Sequence, residues 1–331
     1  MRVALFGVGR LGASHAAKLS ALPDVSELRI CDADSQRART VAPPLGATAV
    51  ESVDAALDGA EAAVIVTPTA THAELIARCL AAGLPTFCEK PVALDLDETR
   101  RVVDLVARSG GRLQIGFQRR FDAGYREARR LLREGAVGTV YSFTMVSRDR
   151  LPPPDEYVAT SGGQFVDQLI HDFDILRWLF ADEVEDLYAT GSVLGHEHYR
   201  SYGDVATSGV VLRLRGGAVG LVNGARHNPA GYDIRVEIYG SLDSIAIGLD
   251  PRAPIRSVEA DVPALAGPAY PGFIERFAAA YRDELAHFLR FARGEAENAC
   301  AAADALEALR IAVAAGRSHR EGWPVRLSEI A

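Results

Sequence analysis

Apolar positions along the chain follow two rhythms. Up to about residue 119, short apolar runs alternate with stretches of helical period. The runs 2–6, 28–32, 62–66, 84–88 and 113–116 read as strands buried on both faces. An Ala-rich stretch to Leu22, then 34–42, 71–82 and 95–109, read as helices, with Gly83 and Gly110-Gly111 as stops. This alternation predicts βαβ units, a parallel sheet and right-handed connections.

The rhythm changes near residue 120. A helix over about 122–134 ends at Gly135, and 140–146 alternates like a strand with one solvated face. A loop at Pro152-Pro153-Pro154 precedes a helix over 164–180. Strand-like runs follow at 184–193, 205–214, 218–226 and 234–248, the last read as two strands. Strands in succession predict an antiparallel sheet. Residues 251–271 read as an irregular connection, and helices over 273–292 and 301–315 finish the chain. The fold class is α/β: a Rossmann dinucleotide-binding domain over 1–119, and a second α/β domain over 120–331 on an open, mainly antiparallel sheet. A length of 331 residues suits two domains of roughly 150 residues each.

Composition narrows the function. A hydrophobic fraction of 48% supports two cores and excludes a disordered chain. With 36 basic against 44 acidic residues, the net charge of −8 argues against nucleic acid as a partner. No apolar run approaches the roughly 18 residues of a membrane span, and the apolar start at Val3–Phe6 is too short for a secretory signal. Cys31, Cys79, Cys88 and Cys300 show no CxxC spacing and stand in apolar runs, as buried free thiols do, which points to a reducing, cytoplasmic setting.

Gly7-x-Gly9-x-x-Gly12 follows a strand, opens a helix, and lies 20 residues before Asp32 at the end of the next strand. That context is the dinucleotide fingerprint. Gly7 permits the tight turn, Gly9 lets backbone approach a pyrophosphate, and Gly12 allows close helix–strand packing. The pyrophosphate would sit on the helix N-terminus, at Arg10 and Leu11. Asp32 would accept hydrogen bonds from ribose hydroxyls and repel a 2′-phosphate, so NAD is favoured over NADP; Arg37 nearby leaves room for NADP. A cofactor-free glycine turn is the alternative. Thr67, Pro68 and His72 follow a buried strand at the carboxyl edge where such sheets bind ligands. Thr69 or Thr71 could instead cap the next helix.

Glu89-Lys90-Pro91 ends another strand at the same edge. Of the basic residues only Lys18 and Lys90 are lysine, so each raises the question of what arginine could not do. Lys90, held before a proline, could stabilise an alkoxide; the plain reading is a loop lysine. In the second domain, Asp167, His171 and Asp174 are spaced i, i+4, i+7 on a helix whose other side carries Leu169, Ile170, Phe173 and Leu176. Pattern alone favours a solvated face. The sharper reading is an active-site wall, with His171 as general base, Asp167 orienting it and Asp174 accepting substrate hydroxyls. His196-Glu197-His198 could chelate a metal, but no third ligand is evident and no metal is expected. Arg119-Arg120, His227 and Tyr232 are weaker candidates.

These motifs together resemble the Gfo/Idh/MocA oxidoreductases, most of all the inositol 2-dehydrogenase branch. The likeness is carried by Phe6-Gly7-Val8-Gly9-Arg10-Leu11-Gly12 with His15, Phe87-Cys88-Glu89-Lys90-Pro91, Gly116-Phe117-Gln118-Arg119-Arg120-Phe121-Asp122, the stretch Ser161 to Asp174, and Gly231-Tyr232-Asp233-Ile234-Arg235-Val236-Glu237. The resemblance implies catalytic roles for Lys90, Asp167 and His171, and substrate contacts at Lys90, Arg120, His171, Asp174 and Tyr232. It implies NAD bound by Gly7, Gly9, Arg10, Leu11, Gly12, Asp32, Arg37, Thr67, Pro68, His72 and Glu89. It further implies a homodimer or homotetramer built on the open sheet. Arg150 stands where relatives often carry proline. The expected reaction is NAD-dependent oxidation of a cyclic polyol, first myo-inositol to 2-keto-myo-inositol. Scyllo-inositol, an aminocyclitol or a pyranose are alternative substrates, and a dinucleotide-binding sensor without turnover is an alternative class.

Overall fold

The computed structural model describes residues 1–261 and 267–330. The chain forms two units, Met1–Phe121 with Ala279–Glu307, and Asp122–Ala278 with Ala308–Ala331. The sequence expectation of 120–331 as one domain did not foresee that Ala279–Glu307 returns to the first unit.

In the first unit, β1 (Arg2–Phe6), α1 (Arg10–Ser20), β2 (Glu27–Cys31), α2 (Ser35–Val41), β3 (Thr48–Val50), α3 (Val53–Leu57), β4 (Ala62–Ile65), α4 (His72–Ala81), β5 (Thr86–Glu89), α5 (Leu96–Ser109) and β6 (Leu113–Gly116) alternate as expected. The sheet is parallel, in the order β3-β2-β1-β4-β5-β6. The order reverses between β1 and β4, where open α/β sheets form a ligand crevice. Every residue of β4, β5 and β6 is buried, which explains the unbroken apolar run of β4 and the mainly apolar β5 and β6, where Thr86, Glu89 and Gln114 are buried among apolar neighbours. Val3, Leu5, Ile30, Val64 and Phe87 pack with Leu19 of α1 and with Leu285, Phe288 and Leu289 of the helix Ala278–Arg293. Side chains of Asp34, Ser52 and Asp95 cap α2, α3 and α5. The short β3 and α3 escape a reading by period, because three and five residues carry too few repeats.

The second unit contains α6 (Ala123–Arg133), β7 (Val140–Arg148), α7 (Asp155–Val158), α8 (Gln164–Asp167), α9 (Ile170–Phe180), β8 (Val184–Ser192), β9 (Thr207–Leu214), β10 (Val219–Ala225), β11 (Asp233–Gly240), β12 (Ser244–Ile247) and β13 (Val325–Arg326). Its sheet runs β12-β11-β7-β10-β9-β8-β13. Most neighbours are antiparallel, but β7 and β10 are parallel, so the sheet is mixed. The pair is parallel because β10 arrives beside β7 only after α9, β8 and β9 have turned the chain back. One sheet face is packed, with Phe143 of β7 against Phe180 of α9 at 4.5 Å between ring centroids. The other face exposes Tyr188, Val211, Leu221 and Tyr239.

Three expected helices differ from their expected form. The helix over 164–180 is interrupted: the N–H groups of Gln168 and Leu169 both donate to Gln164 O at 3.0 Å, a widened turn of the π type. Asp167 therefore ends α8 and His171 belongs to α9, so the single uninterrupted helix face expected for 167, 171 and 174 does not form. The helix over 273–292 breaks at Phe277, and the last helix extends to Glu321. The irregular connection expected over 251–271 includes 262–266, which lie outside the described residues.

Candidate active site

The chain leaves β1 through Gly7, whose amide donates to Cys31 O at 2.9 Å. Gly7 has φ +86°, and a Cβ there would stand 2.7 Å from Val66 O. Only glycine fits such a turn. A Cβ at Gly12 would lie 2.1 Å from Gly7 O, so the first turn of α1 presses directly on the glycine loop. At Gly9, by contrast, an added Cβ meets nothing within 4 Å, and no side chain caps α1. The amides at Gly9, Arg10 and Leu11 thus open a helix N-terminus that a phosphate can approach.

Asp32 follows β2 and faces this loop. Its Oδ2 accepts the Val8 N–H at 2.7 Å and its Oδ1 accepts the Asp34 N–H at 2.8 Å. The Arg37 guanidinium stands 3.2 Å from Oδ1. A tight glycine turn, an open helix start and a carboxylate at the next strand end suit a dinucleotide, with the acid at the ribose. The residues present therefore fit the coenzyme that the fold implies.

After β4, Thr71 does not cap α4. Its hydroxyl donates instead to Thr67 Oγ1 at 2.7 Å and to Pro68 O at 2.9 Å, which corrects the capping alternative. His72 is buried, and its ring nitrogens stand 2.8 Å from Pro91 O and 2.8 Å from Thr67 O. It ties the exits of β4 and β5 together, a structural use that spacing did not reveal. Burial holds its imidazole below the usual histidine range. Glu89 is buried at the end of β5, and Lys90 is half-buried beside it. Arg120 is buried, its Nη1 donating to Ala299 O at 2.8 Å and lying 3.4 Å from Asp304 Oδ2, so this guanidinium braces the first unit.

In the second unit, Asp174 and Asp172 are fully buried and His171 is half-buried. This excludes the solvated-face reading of the stripe. Asp172 accepts two contacts from Ser147 Oγ, at 2.9 and 2.7 Å. Asp167 is held from two sides that sequence reasoning missed. Tyr157 Oη donates to its Oδ1 at 2.7 Å, and Arg226 Nη1 lies 3.4 Å from its Oδ2. Arg226 is itself fully buried, with Nη2 donating to Asp204 Oδ2 at 2.8 Å. Burial opposes its charge, but the Asp204 and Asp167 carboxylates outweigh that and hold the guanidinium above the usual arginine range. An arginine closing the apolar run of β10 was the available signal. Tyr232 is buried after Gly231, its N–H donating to Tyr270 O at 3.0 Å. His227 joins His196, ring centroids 5.3 Å apart, yet no cluster suited to a metal occurs among the described residues.

The comparisons with known proteins agree with this frame. Residues 1–117 match an oxidoreductase family model with an NAD-binding Rossmann fold, and residues 125–246 match a GFO/IDH/MocA C-terminal domain. A myo-inositol 2-dehydrogenase from Thermotoga maritima is 34% identical over 100% of this chain and 99% of its own. A scyllo-inositol 2-dehydrogenase (NAD(+)) from Bacillus subtilis is 34% identical, covering 99% of this chain and 96% of that one. The crystal structure of scyllo-inositol dehydrogenase from Lactobacillus casei with NAD(H) and scyllo-inositol bound superposes with a TM-score of 0.90 at 25% identity, over 99% of this chain and 99% of that one. With 34% identity over the full length, both family models and the fingerprint turn in agreement, the chain belongs to the GFO/IDH/MocA oxidoreductase family.

Proposed function

We propose that this protein is an NAD-dependent dehydrogenase oxidising a secondary hydroxyl of an inositol, first myo-inositol to 2-keto-myo-inositol. The observation carrying the coenzyme is the Asp32 carboxylate on the Val8 amide of the glycine turn, 2.7 Å apart. The substrate class is supported by full-length relatives that act, by name, on inositols. When bound, NAD supplies the hydride acceptor. In the first unit, the Lys90 ammonium stabilises negative charge developing on the substrate oxygen. In the second, His171 accepts the hydroxyl proton, and Asp167 orients the imidazole and stabilises its charged form. Asp174 and Tyr232 contact the remaining hydroxyls. The sheet face carrying Tyr188, Val211 and Leu221 on adjacent strands is the surface for a homo-oligomer. No helix among the described residues is long and apolar enough to cross a membrane, and four buried free cysteines support a cytoplasmic setting.

The Bacillus relative keeps scyllo-inositol as a second reading. The test is purified protein with NAD and a panel of cyclitols and aldoses, followed at the NADH absorbance. Turnover fastest with myo-inositol supports the main reading, and a preference for scyllo-inositol supports the second. NAD binding with no turnover across the panel overturns both.

A further inference from the structure

Asp167 closes α8, and a chain of polar contacts grips that four-residue helix at both ends. At its start, the Gln164 N–H donates to Asp204 Oδ1 at 2.7 Å. Asp204 Oδ2 accepts from Arg226 Nη2 at 2.8 Å, and Arg226 Nη1 reaches Asp167 Oδ2 at the other end. Asp204 Oδ1 also accepts the Val205 N–H at 2.8 Å, which fixes its carboxylate. One buried guanidinium thus spans two carboxylates, although Asp204 alone would balance its charge. Tyr157 completes the grip from α7, which follows the triple-proline loop.

We infer that Arg226 and Tyr157 are positioning residues for the Asp167 carboxylate, setting both its direction and how much of its negative charge reaches His171. The inference rests on the dehydrogenase reading above, in which Asp167 supports His171. A carboxylate gripped by a phenol and a guanidinium stabilises a neighbouring imidazolium less than a bare one does. The grip therefore keeps more of His171 in the neutral, proton-accepting form near neutral pH while holding the acid in line. The other charged or titratable groups felt here are Asp149 and Asp204, with Asp155 acting on Tyr199, whose ring lies 5.8 Å from the Arg226 guanidinium. His196 and His198 lie beyond Tyr199.

The test compares wild type with Tyr157→Phe, Arg226→Gln and Arg226→Lys. Two readouts are used: kcat and KM against pH on the polyol that wild type oxidises, and the His171 titration by NMR without coenzyme, assigned with His171→Gln. Tyr157→Phe should lower kcat about tenfold with KM little changed, the size of a lost hydrogen bond to a charged group. Arg226→Gln should lower it further, and Arg226→Lys should recover part. In both Tyr157→Phe and Arg226→Gln, the acid limb and the His171 titration should move to higher pH. An unmoved His171 titration in Tyr157→Phe, or a loss confined to KM, overturns the inference. If Arg226→Gln fails to fold, Tyr157→Phe decides alone. If wild type oxidises no polyol, the dehydrogenase reading fails, while the NMR titration still decides whether the grip governs His171.

Discussion

His15 Nε2 stands 2.8 Å from Glu89 Oε1, and both side chains are buried. The contact links α1, which opens on the glycine turn, to the residue before Lys90. The His15 ring also lies 6.0 Å from the Phe87 ring and 5.4 Å from the Tyr281 ring, so the pair sits in an aromatic surround. Replacing His15 by leucine leaves the Glu89 carboxylate buried without this partner. The expected cost is about 2–3 kcal/mol, read as a lower urea midpoint with an unchanged slope. An unchanged midpoint would show that the contact contributes nothing to stability.

Lys90→Met should lower kcat by about 10²–10³, the scale for removing one donor to a developing oxyanion. Coenzyme affinity, measured by quenching of protein fluorescence on NADH addition, should stay within a few fold. Near-full turnover in this variant would remove Lys90 from the chemistry.

Asp32 fixes the turn through Oδ2 on the Val8 N–H, and in the function proposed above it also meets the coenzyme ribose. Asp32→Ser should weaken NAD binding by about 10-fold or more, as a charged hydrogen-bond acceptor is lost, and should raise tolerance of NADP. The ratio of kcat/KM for the two coenzymes checks this. An unchanged ratio places the discrimination elsewhere.

Gly12→Ala would force a methyl group to 2.1 Å from Gly7 O. The backbone must yield, so a loss of about 1–3 kcal/mol is expected together with weaker NAD binding. Gly9→Ala, where nothing lies within 4 Å of the added carbon, should leave stability nearly unchanged. Equal stabilities for the two variants would contradict the packing account.

The cysteines should be inert in the folded protein. All four are buried and free. Burial pushes the Cys79 thiol up to about 12, and raises Cys88 and Cys31 as well. An aromatic disulfide reagent near neutral pH should therefore react slowly with native protein and rapidly with all four thiols in denaturant. Fast reaction of the native form would show that the first unit opens readily.

Sequence by itself determined the strand–helix alternation, the glycine turn with its partner Asp32, and the candidate roles of Lys90, Asp167 and His171. Each is written in local period or spacing, or in a resemblance carried by short motifs. The second sheet was read as a run of strands, but its parallel β7–β10 pair depends on which distant strands meet. The return of Ala279–Glu307 to the first unit is likewise a matter of burying an apolar helix face against a remote sheet. His72 as a brace, the widened turn after Asp167, and the grip of Tyr157, Arg226 and Asp204 on α8 were decided only by tertiary structure. Apart from the widened turn, which lies within Gln164–Leu169, they are hydrogen bonds between separate segments of the chain, set by where folding leaves a polar group in need of a partner. No period or spacing records such a need, because it arises only when packing has excluded water.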